Sequence, residues 1–248
     1  MFLTVTLVIS IIFAFTIKQE AQIGIQKETA TPVRKGVMTN RQREHSKLYS
    51  DRRVNSRKLT DFRGDEAQGE VNVTSGQEYG SFDFSARPTP NEYIRDQACD
   101  ADLIIFGKAT AKESQLTPEE TYIFTDYTFS VDKLLKDDRS QYLGSLKESV
   151  VTRGGGRVKL DGREITFNDN SFKRILIGGN YLLFLKRISE TGAYRTIDGS
   201  TVADSNGKLQ TLSDPHKGEV LQGLTLDAAI DLIEAYVASY KCSSNEVR

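Results

Sequence analysis

The chain has 248 residues, 38% of them hydrophobic, and a formal net charge of −1. This length admits one or two domains, and the modest apolar share implies that part of the chain stays outside any core. A charge so near zero gives no bulk attraction to nucleic acid or to an acidic substrate, and no nucleic-acid partner is expected.

Residues 1–17 read as a signal peptide or membrane anchor. Phe2 to Ile17 carries no charge, and Lys18 ends the run. As a helix it would rise about 24 Å, short of the roughly 30 Å hydrocarbon core, which suits the apolar region of a secretory signal. No basic residue precedes it, Gln19-Glu20-Ala21 is its best cleavage site, and no cysteine follows to carry a lipid. The expected location is outside the cell, in the periplasm or in the cell envelope, with an uncleaved N-terminal tether as one option.

Residues 18–87 read as a disordered, partly basic linker, because they lack sustained periodicity and are rich in charged and polar side chains. From Val33 to Arg63 ten basic residues face three acidic ones. Residues 34–63 could contact an anionic membrane surface or serve as a solvated spacer. Positive charge normally stays cytoplasmic, so this stretch also leaves open an anchor with its C-terminal side inside the cell. Asn72-Val73-Thr74 matches a glycosylation sequon, which matters only in a eukaryotic secretory pathway.

Order is expected over residues 88–248. Thr89 can cap a helix, Pro90 suits its first position and Glu92 completes a capping box. Strands are expected at Leu103 to Ala109, Thr121 to Val131, Ser149 to Arg153, Ile165 to Phe167, Tyr181 to Leu185 and Ala193 to Ile197. Tyr181 to Leu185 is apolar on both faces and therefore central. A last helix, capped by Thr225, carries the stripe Leu226, Ala229, Ile230, Ile233, Tyr236, Val237 and Tyr240. Short strands, Gly-rich turns and few helices predict a mainly β protein, a barrel or a sandwich.

Cys99-Asp100-Ala101-Asp102-Leu103-Ile104-Ile105, followed by Gly107-Lys108-Ala109, resembles the first barrel strand of the tissue inhibitors of metalloproteinases and netrin-like modules. The aromatic strand 121–131 leading into Asp132-Lys133-Leu134-Leu135-Lys136 resembles their second, and Gly178-Gly179-Asn180-Tyr181-Leu182 a later one. The resemblance covers about residues 95–200. It implies an OB-like Greek-key β-barrel with a C-terminal α-helix, preceded here by a disordered N-terminal segment. Those inhibitors chelate the protease zinc through an N-terminal cysteine, whereas Cys99 lies far inside this chain, so that mechanism does not carry over.

Few residues offer chemistry. The two cysteines, Cys99 and Cys242, flank the expected domain. They form a disulfide tying the last helix to the barrel, closing a loop of about 143 residues worth roughly 5 kcal/mol at most, or they are two free thiols. The histidines, His45 and His216, have no finger-like spacing with the cysteines, so no metal or other cofactor is expected. A Ser-His-Asp site would have to use His216, and no Gly-x-Ser-x-Gly elbow is present. Gly154-Gly155-Gly156, between Arg153 and Arg157, either offers backbone amides to an anion or forms a hairpin or strand bulge. The pairs Glu119-Glu120 and Asp137-Asp138 fall in expected turns and have no EF-hand pattern. Tyr122 and Phe124 either form an exposed stacking platform or pack beneath the terminal helix. Together Tyr122, Phe124, Arg153 and Arg157 make the candidate ligand face.

The function these residues suggest is that of a non-enzymatic exported binding module, its partner an unidentified protein or envelope polymer. A metalloprotease-inhibitor-like protein acting through a barrel edge is one alternative. A hydrolase built on Asp, Glu and Ser is another.

Overall fold

The computed structural model describes residues 31–32, 38–50, 58–61, 70–74, 89–138, 146–160, 162–169, 172–213 and 224–239. The apolar run 1–17, His216, Tyr240 and Cys242 lie outside them. Among the described residues no helix is long and apolar enough to cross a membrane.

In chain order the elements are β1 (Thr31–Pro32), α1 (Asn40–Lys47), a single 3-10 turn (Leu59–Asp61), β2 (Glu70–Thr74) and α2 (Pro90–Asp100). There follow β3 (Leu103–Leu116), β4 (Ile123–Asp137), β5 (Glu148–Gly154), β6 (Gly156–Leu160), β7 (Arg163–Asn168) and β8 (Asn180–Arg187). The last are β9 (Tyr194–Thr196), β10 (Thr201–Ala203), β11 (Leu209–Thr211) and α3 (Leu226–Ser239).

Five strands close a barrel in the order β8-β3-β4-β5-β9, with β9 returning to β8. Contacts around this ring are antiparallel except between β5 and β9, which run parallel. Taken in chain order the ring reads first, second, third, fifth, fourth, the Greek-key order of an OB-type barrel. β10 and β11 extend the sheet beyond β8. A second sheet, ordered β1-β6-β7-β2, stands beside the barrel.

The long first hairpin coils tightly because β3 and β4 pair through three register shifts. Gly107 lies at one of them, and a Cβ there would stand 2.2 Å from the Ser130 carbonyl oxygen. β8 is buried on both faces from Tyr181 to Leu185, as its apolar run predicts.

Three apolar clusters fill the structure. Inside the barrel, Leu103, Ile105, Phe129, Val151, Leu183 and Leu185 meet. On its outer wall, α2 and α3 pack Ile94, Ala98, Ile230 and Ile233 against Ile104, Leu135 and Phe184. The third cluster joins barrel to second sheet through Phe124, Val158, Ile165 and Phe167.

Both helix starts match expectation. Thr89 accepts from the Glu92 amide, while the Glu92 carboxylate accepts from Thr89, which also holds its pKa below the usual value. The Ala228 amide donates to the Thr225 hydroxyl. At the other end of α2, Lys136 Nζ donates to the Ala98 and Ala101 carbonyls, placing a cation where the helix dipole favours one.

Residues 38–50 depart from the unstructured linker expected there. Thr39 and Gln42 form a reciprocal capping box that starts α1. The helix then buries Gln42, His45 and Ser46, and Tyr49 follows it into the third cluster. At 58–61 Leu59 is buried as well, its amide donating to Glu120 O at 2.7 Å.

Candidate functional site

Tyr122 and Phe124 are not an exposed platform: they retain 4% and 0% of their surface. Their cover is not the terminal helix but Tyr49, whose ring stacks on each with centroids 5.5 Å apart. Tyr122 also leans on Phe167 at 4.6 Å. The same face of β4 carries Asp126, whose carboxylate holds His45 Nδ1 at 2.8 Å, with Arg41 Nε 3.8 Å away. The basic side chains of α1 are thus partly engaged, Arg41 with Asp126 and Lys47 with Glu44.

On the opposite face β5 alternates Ser149, Val151 and Arg153 toward the barrel interior. At its end Arg153 is 8% exposed. Its guanidinium donates to the carbonyls of Lys173 at 2.9 Å and Phe172 at 3.4 Å, and lies 4.4 Å from the centre of the Phe172 ring. Burial works against its charge and lowers its pKa, while Tyr127 and Asp169 oppose that shift. Burial likewise pushes the Tyr127 hydroxyl up, with Arg153 pulling it back.

Arg153 borders a cavity of about 360 Å³ at the end of the barrel, walled among the described residues by Tyr127, Phe172 and Leu212 and rimmed by Asn168, Asp169, Lys173 and Arg174. Gly154, Gly155 and Gly156 form one side of it. Here the chain leaves the barrel and enters the second sheet.

The glycines fit a tight corner. A Cβ on Gly154 would lie 2.3 Å from the Tyr122 hydroxyl, and one on Gly156 2.2 Å from Thr125 Oγ1. The Gly155 amide is already given to Ile123 O, and its carbonyl accepts from Thr125 Oγ1. The run is therefore a strand corner, and the cation beside it carries the site's polarity.

Arg157 does not join Arg153. It reaches along the second sheet to Glu164, 2.9 Å away, and its amide meets Ser114 Oγ. The candidate face thus divides: Tyr122 and Phe124 are core, Arg157 is a sheet-surface ion pair, and Arg153 alone lines the cavity.

Sequence reasoning did not find Phe172, Lys173, Arg174 and Leu212. They come from a loop and a strand end with no motif of their own. A basic pair after an aromatic residue, close to the Gly run and its arginine, is the one signal they carry.

Glu120 and Asp138 make ion pairs with Lys58 and Lys136. Among the described residues no group of three or more His, Cys, Asp or Glu could hold a metal ion. Cys99 lies near the end of α2, half-buried. No family model and no curated protein matches the chain.

Proposed function

We propose that the chain is a non-enzymatic binding module, exported to the cell envelope or beyond, which takes its ligand at the end of the barrel beside Arg153. One observation carries the reading: a cavity of about 360 Å³ with aromatic and apolar walls and a buried cation at its side. Ligand sites are commonly concave, largely apolar and oriented by a few polar groups, and barrel mouths are frequent hosts.

Export rests on the apolar N-terminal run and would permit a Cys99–Cys242 disulfide. Supporting that pairing, α2 packs on α3, whose last residue Ser239 precedes Cys242 by three positions. The closed five-strand barrel is compatible with an OB-like fold, and the reading includes no inhibitory N-terminal amine.

A thermal-shift screen of the full chain against small acids, bases and neutral compounds tests the reading. A ligand that binds only the folded state raises the melting temperature with concentration. The expected result is a set of compounds that stabilise saturably, compete with one another and remain chemically unchanged. No stabilising compound would overturn the binding reading, and turnover of a stabilising compound would replace it with an enzyme.

A further inference from the structure

Arg153 is a buried cation that makes no direct ion pair with a carboxylate among the described residues, Asp169 favouring its charge only electrostatically across the cavity. Among the described residues its contacts are two carbonyl oxygens and one aromatic face, which orient the guanidinium without neutralising it. No carboxylate of a described residue stands within ion-pair distance of it. Burying a charge without a counter-charge is costly, so such a group is ordinarily paired.

The surroundings reinforce that positive potential. Lys173 and Arg174 rim the same cavity, against the single carboxylate of Asp169 among the described lining residues. Tyr122 donates to that carboxylate at 3.5 Å. Outside the cavity, Lys112 has its pKa drawn down to about 8, first by burial and then by Arg157 and Arg174.

We infer that the ligand of this cavity carries an anionic group, a carboxylate or a phosphate monoester, which pairs with Arg153 while an apolar body packs on Phe172 and Leu212. This rests on the binding reading above and adds the ligand's chemical class. Two carbonyls occupy only part of the guanidinium's donor set, and its planar fork suits the paired oxygens of either anion. Phe172 both holds the guanidinium from one side and offers the body of a ligand an aromatic wall. The volume suits one small molecule rather than a polymer segment.

Calorimetry on the full chain tests this with four probes of similar shape: benzoate, phenyl phosphate, benzyl alcohol and benzylamine. Inorganic phosphate serves as a fifth probe lacking the apolar body. The expected result is binding of benzoate or phenyl phosphate at least tenfold tighter than benzyl alcohol, with benzylamine weakest. Affinity should fall as salt rises. The tighter of the two anions identifies the class, and inorganic phosphate should bind more weakly than phenyl phosphate.

Arg153→Met should abolish the anion preference. Should that variant not fold, Lys173→Gln with Arg174→Gln, both exposed, should weaken the anions several-fold and leave benzyl alcohol unchanged. Equal binding of benzyl alcohol and the anions would overturn the anionic class while leaving a pocket that binds ligands. Binding of none of the probes, joined to a silent thermal-shift screen, would overturn both readings.

Discussion

His45 Nδ1 lies 2.8 Å from both carboxylate oxygens of Asp126, joining residues 81 positions apart in the chain. His45 has no exposed surface and Asp126 only 4%. This bond and the Tyr49 stack fix α1 to the outside of the barrel, on the face of β4 opposite the Arg153 cavity. Part of a segment that reads as spacer is therefore part of the domain.

Removing Asp126 leaves His45 buried without that partner, and removing His45 leaves Asp126 with the longer Arg41 contact, a loss of about 1–3 kcal/mol in either case. Asp126→Ala and His45→Ala should each destabilise by that order, and the double variant by clearly less than the sum. Urea denaturation of the four proteins checks the cycle. Additivity within about 0.5 kcal/mol would show that the two residues are not coupled.

Tyr49→Ala removes the ring that covers Tyr122 and Phe124. Loss of a buried aromatic typically costs about 3–5 kcal/mol. Here the effect should be local first: amide exchange in α1 should accelerate and proteolysis should open near residues 38–50, before the barrel strands lose protection. Tyr49→Phe should be mild, since the hydroxyl reaches Thr152 only at 3.4 Å.

Two glycines with positive φ separate backbone cost from crowding. Gly162 has φ +82° with nothing within 4 Å of an added Cβ, so Gly162→Ala should cost about 1–2 kcal/mol from conformation alone. Gly156 has φ +145° and would drive its Cβ into Thr125 and Ser114. Gly156→Ala should cost more than Gly162→Ala and distort the corner beside Arg153. Melting temperatures of the two variants decide the order.

Lys112 should be the most readily acylated lysine near pH 8. Its pKa is lowered to about 8, chiefly by burial and then by Arg157 and Arg174. Between that pH and the ordinary lysine value the unfolded chain binds more protons than the folded one. Its contribution to stability therefore rises with pH across this window and is unfavourable below it. Arg174→Gln should raise the pKa, seen as slower labelling of Lys112 by an N-hydroxysuccinimide ester in peptide mass spectrometry.

Much of the barrel was legible because its signals are local. The Thr89-Pro90-Asn91-Glu92 cap, the doubly apolar Tyr181 to Leu185 strand and the Ala229, Ile230, Ile233 stripe each state their environment in a few neighbouring residues. Helix α1 states it differently. Asn40 to Lys47 contains no apolar side chain, and it docks through hydrogen-bonding residues that hydrophobic periodicity does not register. Its Thr39 to Gln42 capping pair was present in the sequence as a start signal.

Strand β6 went unread although Val158 and Leu160 alternate with Arg157 and Lys159, because so short a run also fits a turn. The polar-looking face of β4 was misread for a nonlocal reason. Its cover, Tyr49, comes from more than seventy residues upstream. Arg153 could be named as a ligand-face residue, but its burial beside the cavity, with no described carboxylate in ion-pair contact, is a property of the folded barrel alone.

The most direct test of the account is a titration of full-length protein, labelled with nitrogen-15, using phenyl phosphate and benzoate. The account predicts that the Arg153 Nε–Hε resonance and the amides of Gly155 and Lys173 shift together and saturate, while α1 amides stay still. Shifts confined to α1 or to the α2–α3 face, with Arg153 unmoved, would contradict it.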